Sequence, residues 1–376
     1  MNRNLARWLS LLAAVLLAAA VFPALPAAAN GIGTVYVGCA AGNAVSVIDT
    51  NTNTMVEDIP LDQPPLNLAF SPDAHFVYVS HPGSNVISVI ETPVEDVTAT
   101  MKVGSQVTDL AVTSAGAWLL ATDPQDGKLR VIDPSLKTEL FSIPEAGAES
   151  LAALQDGSLA YVAASKSGAI STVDLQKRTV VATVDAGPGK HYLAVSPTGD
   201  QVAVTSAQGD KLFILNAATG QIARTIDVGQ ASGAAGFSPT GDLAYVPRAD
   251  VNEVTIVHTG TGALAGTIPL PGRPAALGVS KDGNRAYIAL PDKDRVAIAN
   301  LSKNAVAVEV AVDKGPTSIA MSPIQPRTTG VPLPTNLPNT GGTGTPGRLS
   351  LLLAGIAAVL LTMGAAFRLF AVRHSR

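Results

Sequence analysis

Apolar and polar residues alternate along short segments of this chain, and the same arrangement of segments recurs about every 42 residues. One position of the repeat is occupied by Tyr36, Tyr78, Leu119, Tyr161, Ala203, Tyr245 and Tyr287. A second position is occupied by Ile48, Ile90, Ile132, Val173, Leu215, Val257 and Ala299, at spacings of 42, 42, 41, 42, 42 and 42 residues. Units of this size cannot bury a core alone, so the pattern predicts seven modules that pack on one another.

Within each copy the apolar residues recur with period two, which is typical of β-strands. The first copy contains four such segments, residues 34–37, 44–48, 55–61 and 66–70, and residues that favour turns separate them. Four short antiparallel strands in a unit of this length indicate a β-propeller blade. We therefore predict an all-β chain with a seven-bladed β-propeller over residues 30–323.

The two ends of the repeat region predict how the ring closes. The chain enters at residues 34–37, a segment that occupies the second position of the other copies. It leaves at residues 317–322, which match the innermost strand of the other copies. One blade should therefore combine one C-terminal strand with three N-terminal strands, an arrangement that leaves no open sheet edge at the ends of the array.

Residues 1–29 have the order of a secretory signal peptide. Arg3 and Arg7 precede an apolar run over residues 8–22, and small residues follow, with Ala27 and Ala29 at the expected cleavage site. A retained membrane anchor is the alternative. Cys39 lies beyond this segment, and we expect it to be a buried strand residue. Because it is the only cysteine, the exported chain cannot form an intramolecular disulfide.

The C-terminal segment resembles the sorting signal of sortase-anchored cell-wall proteins. A Pro/Thr-rich spacer over residues 324–336 precedes the pentapeptide Leu337, Pro338, Asn339, Thr340 and Gly341. Residues 349–367 are 19 uncharged residues, long enough to cross a bilayer, and a tail with three arginines follows. For the whole signal, residues 337–376, the resemblance implies that a sortase transpeptidase cuts after Thr340 and joins it to peptidoglycan. A simple transmembrane anchor that is never cut is the alternative.

Processing at both ends changes the charge of the protein. The two removed segments contain six of the 25 Lys+Arg residues and no acid, so 19 basic residues face 29 acidic ones and the mature chain carries a net charge of −10. An acidic ring of this kind is a poor binder of nucleic acid. We therefore expect no nucleic-acid partner.

The repeats resemble YVTN-type β-propeller repeats over residues 33–323. The similarity lies in a Tyr-Val strand at residues 76–80, a Val-rich strand at residues 85–90, and a Gly-Pro turn before the Ser-Pro turn at residues 187–200. This resemblance implies a cell-surface or surface-layer protein. The repeats are also similar to lactonase-like and cofactor-binding seven-bladed enzymes.

The sequence offers few groups for catalysis. The mature chain has one cysteine and four histidines, without the paired spacing of metal ligands, so we expect no metal, no cofactor and no assigned catalytic residue. The second to fourth repeats nevertheless place polar residues where their innermost strands begin: Asp109, Glu149, Lys190, His191 and Tyr192. These residues are a candidate ligand site at the mouth of the central channel. His191 with Glu149 could act as an acid/base pair, and a solvated funnel without a specific ligand is the alternative.

Two functions are compatible with these sequence features. The first is an exported, wall-attached propeller that binds an extracellular protein or carbohydrate, or assembles in a surface layer, without catalysis. The second is a wall-tethered enzyme, lactonase-like or dependent on a redox cofactor. The short loops between strands and the scarcity of His and Cys favour binding.

Overall fold

The computed structural model describes residues 33–114, 118–230 and 233–324. The predicted signal peptide, most of the spacer, the pentapeptide and the apolar segment 349–367 lie outside these residues. Among the described residues, no helix is long and apolar enough to span a membrane.

The described chain forms 28 strands in seven four-stranded antiparallel sheets, so the all-β, seven-bladed prediction is confirmed. Blade 1 contains β1 (Thr34–Cys39), β2 (Ala44–Asp49), β3 (Thr54–Pro60) and β28 (Pro316–Met321); blade 2 contains β4 (Asn67–Phe70), β5 (Phe76–Ser80), β6 (Val86–Glu91) and β7 (Asp96–Lys102). Blade 3 contains β8 (Leu110–Val112), β9 (Leu119–Asp123), β10 (Lys128–Asp133) and β11 (Thr138–Pro144); blade 4 contains β12 (Ala148–Ala153), β13 (Leu159–Ala164), β14 (Ala169–Asp174) and β15 (Thr179–Asp185). Blade 5 contains β16 (His191–Val195), β17 (Gln201–Ser206), β18 (Lys211–Asn216) and β19 (Ile222–Asp227); blade 6 contains β20 (Gly236–Phe237), β21 (Leu243–Arg248), β22 (Glu253–His258) and β23 (Leu264–Pro269). Blade 7 contains β24 (Ala276–Val279), β25 (Arg285–Leu290), β26 (Arg295–Asn300) and β27 (Ala305–Ala311).

Blade 1 closes the ring as the sequence predicts. Its strand order is β28-β1-β2-β3, so one C-terminal strand completes a sheet of three N-terminal strands. Tyr36 lies opposite Ala320 in the antiparallel pair of β1 and β28. Beyond this pair, the Gly33 amide donates a hydrogen bond of 2.9 Å to the Ile324 carbonyl. The two ends of the described chain therefore leave the propeller side by side.

The strand registers correct the prediction for one of the seven residues at the repeat position that tyrosine mostly occupies. Tyr78 lies opposite Ala69, and the equivalent pair in blade 3 is Leu120 with Ala111. Leu120, rather than the predicted Leu119, therefore fills the missing slot in that copy. Both leucines are fully buried, so hydrophobicity alone could not distinguish two neighbours that point to opposite faces of the sheet.

The hydrophobic core lies between neighbouring blades. At the junction of blades 7 and 1, Val35 and Val37 of β1 pack with Tyr287 and Ile298, and all four are fully buried. Cys39 belongs to the same cluster, which confirms it as a buried strand residue. Each blade depends on its neighbours for burial, so a unit of about 42 residues is not expected to be stable by itself.

The topology gives the ring two distinct faces. We call the side where the innermost strands β4, β8, β12, β16, β20, β24 and β28 begin the mouth face, and the side where they end the exit face. Because β28 ends at Met321 and β1 begins at Thr34, both chain ends lie on the exit face. The mouth face is therefore opposite to the point where the chain leaves the propeller.

Candidate ligand site at the channel mouth

The equivalent positions at the starts of the innermost strands agree with the strand registers. Asn67, Asp109, Ser150, Tyr192, Ala234, Ala276 and Ser318 form this set in the sequence. Tyr192 lies opposite Thr205, and Ser150, one repeat earlier, lies opposite Ala163. The predicted site residues of blades 3, 4 and 5 thus begin three consecutive innermost strands on the mouth face.

Asp109 joins blade 3 to blade 4. Its Oδ2 atom accepts hydrogen bonds from the Leu151 amide at 2.8 Å and from Ser150 Oγ at 3.0 Å, both in β12. Its Oδ1 atom accepts one from the Leu110 amide at 2.9 Å. Burial raises the pKa of Asp109, although these three bonds and the charge of Lys190 oppose the change. Both carboxylate oxygens are thus occupied by the protein, and Asp109 serves as an inter-blade tie.

His191 is fully buried at the start of β16. Its Nε2 atom lies 3.3 Å from the Ala186 carbonyl oxygen, and its Nδ1 atom has no hydrogen-bond partner among the described residues. Burial lowers the pKa of His191, which favours the neutral ring. No hydrogen bond or ion pair between described residues joins His191 to Glu149, so the structure does not assemble the acid/base pair that the sequence suggested.

The three remaining residues form an accessible group. Lys190 is exposed, and Glu149 and Tyr192 are half-buried. The Lys190 Nζ atom lies over the Tyr192 ring, 5.2 Å from its centroid. Burial, and then the charge of Glu149, raises the pKa of the Tyr192 hydroxyl. An ammonium group and an aromatic ring are thus in contact at one side of the mouth, and a carboxylate lies on the neighbouring blade. We call these three residues the mouth triad.

Neighbouring groups fix the backbone of the mouth triad. Thr108 Oγ1 donates a hydrogen bond of 2.8 Å to the Glu149 carbonyl, so β12 is held from blade 3. The Lys190 amide donates one of 2.8 Å to Gln208 Oε1 within blade 5. The side chains of the triad therefore extend from a rigid frame, and this preorganisation lowers the entropic cost of binding a ligand.

A series of hydroxyl groups, which the repeat pattern does not predict, ties neighbouring blades together near the mouth. Ser80 donates to the Thr108 carbonyl at 3.2 Å, and Thr205 donates to the Gly233 carbonyl at 2.8 Å. Thr122, at the same register, donates to the Glu149 carbonyl at 3.3 Å. Aligning the second strands would have shown hydroxyl residues one or more full repeats apart, but only the structure shows that they reach the next blade.

The accessible side chains at the mouth are those of the mouth triad. Among the described residues, no three His, Cys, Asp or Glu side chains lie close enough together to hold a metal ion. The mouth triad can bind a polar ligand through charge, hydrogen bonding and contact with the Tyr192 ring.

Comparisons with known proteins support the fold. A family model described as YNCE-like β-propeller matches residues 135–237, which is less than half of the chain. A chain of Kuenenia stuttgartiensis hydrazine synthase is 20% identical with a TM-score of 0.61, and the match covers 70% of this chain and 91% of that one. A functionally unknown protein from Desulfotomaculum acetoxidans is 17% identical with a TM-score of 0.63, and the match covers 77% and 98%. No curated protein gives a significant match. At these identities the likeness concerns architecture alone, and the chain is a β-propeller repeat protein.

Proposed function

We propose that this protein is exported, becomes covalently attached to the cell wall through Thr340, and displays its propeller as a binding module without catalysis. The partners of this proposal are a sortase transpeptidase, peptidoglycan, and an extracellular protein or carbohydrate whose exposed group enters the channel mouth. The observation that carries it is the opposition of the two faces: the chain leaves the propeller on the exit face, and the mouth triad lies on the mouth face.

This opposition suits a displayed binding domain. The spacer, the pentapeptide at residues 337–341 and the apolar segment follow β28 in sequence, and β28 ends on the exit face. A tether that starts at the end of β28 does not start beside the mouth triad. Attachment near the mouth would have hindered access to any large extracellular partner.

The burial and the hydrogen bonds of the polar residues at the mouth support binding over catalysis. Asp109 is occupied by hydrogen bonds to blade 4, and the His191 ring is buried against the Ala186 carbonyl. A general base must reach the proton that it removes, and a fully buried imidazole does not meet this requirement without rearrangement. The accessible groups are those of the mouth triad, which suit recognition.

Cell fractionation tests the proposal. The full chain should be released from cells by a muramidase and should resist extraction with detergent. A Thr340→Ala variant should instead appear in the detergent-soluble membrane fraction, because the threonine at which the sortase is expected to cut is lost. Asn339→Ala is the matched control, since it changes the variable position of the pentapeptide and should behave like the parent chain. Equal detergent extraction of the parent and Thr340→Ala would refute wall attachment.

A further inference from the structure

The Tyr192 ring at the channel mouth already holds an ammonium group. The Nζ atom of Lys190 lies 5.2 Å from the ring centroid, within the range of a cation–π interaction. Lys190 forms no ion pair among the described residues. The ammonium group therefore lies against the aromatic ring, and its charge also reaches the Asp109 carboxyl.

We infer that the mouth recognises organic ammonium groups, and that Lys190 is an internal occupant of the position that such a group would take on Tyr192. This inference rests on the proposal that the mouth is a binding site, and it names the chemical class of the ligand. A primary amine on a protein or an amino sugar has the required chemistry.

The surroundings of the ring favour a cation. Glu149 is half-buried and close enough for its charge to act on the Tyr192 hydroxyl. Asp109 adds a second carboxyl nearby, and its oxygens are bonded to blade 4 and to its own strand. Residues 30–340 contain 19 basic and 29 acidic residues, and this acidic balance also attracts cations over a longer range.

The next two blades carry small side chains at the equivalent position. The positions equivalent to Tyr192 in blades 6 and 7 are Ala234 and Ala276, which carry only a methyl group. Lys190 itself is exposed, so its side chain can move into solvent when a ligand arrives. A ligand ammonium group can then replace it on the ring without a change in the backbone.

Competition with Lys190 predicts the direction in which the affinity for a cation changes when this residue is removed. If Lys190 occupies the ligand position, its removal should strengthen the binding of a cation. The gain should be about two- to five-fold, the factor that corresponds to one cation–π contact at an exposed site. If Lys190 instead binds an anionic ligand directly, its removal should abolish binding.

Titrations of the full chain in an uncharged detergent, followed by NMR at pH 6.5 and constant ionic strength, test this inference. The probes are tetramethylammonium, lysine amide as the protein amine, and glucosamine as the amino sugar, with N-acetylglucosamine as its uncharged counterpart. We expect millimolar binding of the cationic probes, a two- to five-fold gain for Lys190→Ala, and no change for Lys303→Ala, which alters an exposed lysine on the exit face. Tyr192→Leu should abolish binding, whereas Tyr192→Phe should retain it because the ring is kept.

The outcomes separate this inference from the proposed function. Binding of N-acetylglucosamine in preference to the cations would overturn the ammonium assignment and leave a binding module in place. Loss of cation binding in Lys190→Ala, or no binding of any cationic probe, would also overturn it. Wall attachment is measured independently by the fractionation of Thr340→Ala, so its failure cannot be mistaken for a failure at the mouth.

Discussion

Arg285 of β25 donates a hydrogen bond of 2.6 Å from its Nη1 atom to the carbonyl oxygen of Thr50, which is 235 residues away in sequence. The same nitrogen lies 3.3 Å from Asn53 Oδ1, and the arginine is only 8% exposed. These contacts join blade 7 to the turn between β2 and β3 of blade 1. The ring is therefore closed by a buried guanidinium group as well as by the pairing of β1 with β28.

We predict that Arg285→Met lowers the free energy of unfolding by about 1.5–3 kcal/mol, because it removes charge-assisted hydrogen bonds to buried acceptors. Urea denaturation measures the change. Arg295→Met is the matched control in the same blade, since its pair with Glu309 at 3.8 Å is partly exposed. That control should lose less than about 1 kcal/mol. Equal losses in the two variants would contradict a closing role for Arg285.

Removal of β28 should destabilise the whole ring. A chain of residues 30–315 leaves β1 without its inner neighbour and uncovers Val35 and Val37, whereas residues 30–330 retain the pairing. We expect the shorter chain to lose at least ~3 kcal/mol, a large share of the stability of a typical domain, and to unfold less cooperatively. Thermal and urea unfolding of the two chains provide the measurement. Equal stability would contradict a closed ring.

The contribution of Asp109 to the stability of the folded protein should fall as the pH rises. Burial raises its pKa in the folded state, so the folded chain binds this proton more tightly than the unfolded chain. The resulting stabilisation is complete below the unfolded pKa of about 3.9 and is lost as the pH rises through the folded pKa. Asp109→Asn cannot titrate, so the stability of the parent relative to this variant should fall from about pH 4 upward and then level off. A relative stability that increases with pH would contradict burial as the dominant cause.

The Cys39 thiol should be unreactive in the folded protein. Its side chain is fully buried, and burial raises its pKa to about 11. At pH 8 on the order of one thiol in a thousand is then ionised, and access to it is blocked. We expect slow reaction with a maleimide under native conditions and rapid reaction in denaturant. Similar rates in the two conditions would show that β1 is not buried as described.

The sequence predicted the fold well because the repeat supplies seven copies of the same information. A period of two within each copy and a spacing of about 42 residues were enough to identify the blades and to predict that residues 317–322 close the ring. The one error in the tyrosine position arose at Leu119 and Leu120, where two adjacent buried leucines hide the alternation.

The site was less predictable because sequence position gives the start of a strand but not the direction of a side chain. Asp109, Glu149, Lys190, His191 and Tyr192 all begin innermost strands or lie next to their starts. The structure shows that His191 is buried and that Asp109 bonds to blade 4, so only three of the five form an accessible group. These differences depend on contacts between blades, which the repeat pattern does not record.

Mass spectrometry of the wall-released protein is the most direct measurement of the proposal that this propeller is anchored to the cell wall. The full gene product is expressed in a wall-sorting host, released with a muramidase and digested with trypsin. We predict an N-terminus at Asn30 and a C-terminal peptide that starts at Thr328, ends at Thr340 and carries a peptidoglycan fragment on its terminal carboxyl. An unmodified peptide that continues from Thr328 to Arg348 would show that the pentapeptide is not cut, and it would contradict covalent display.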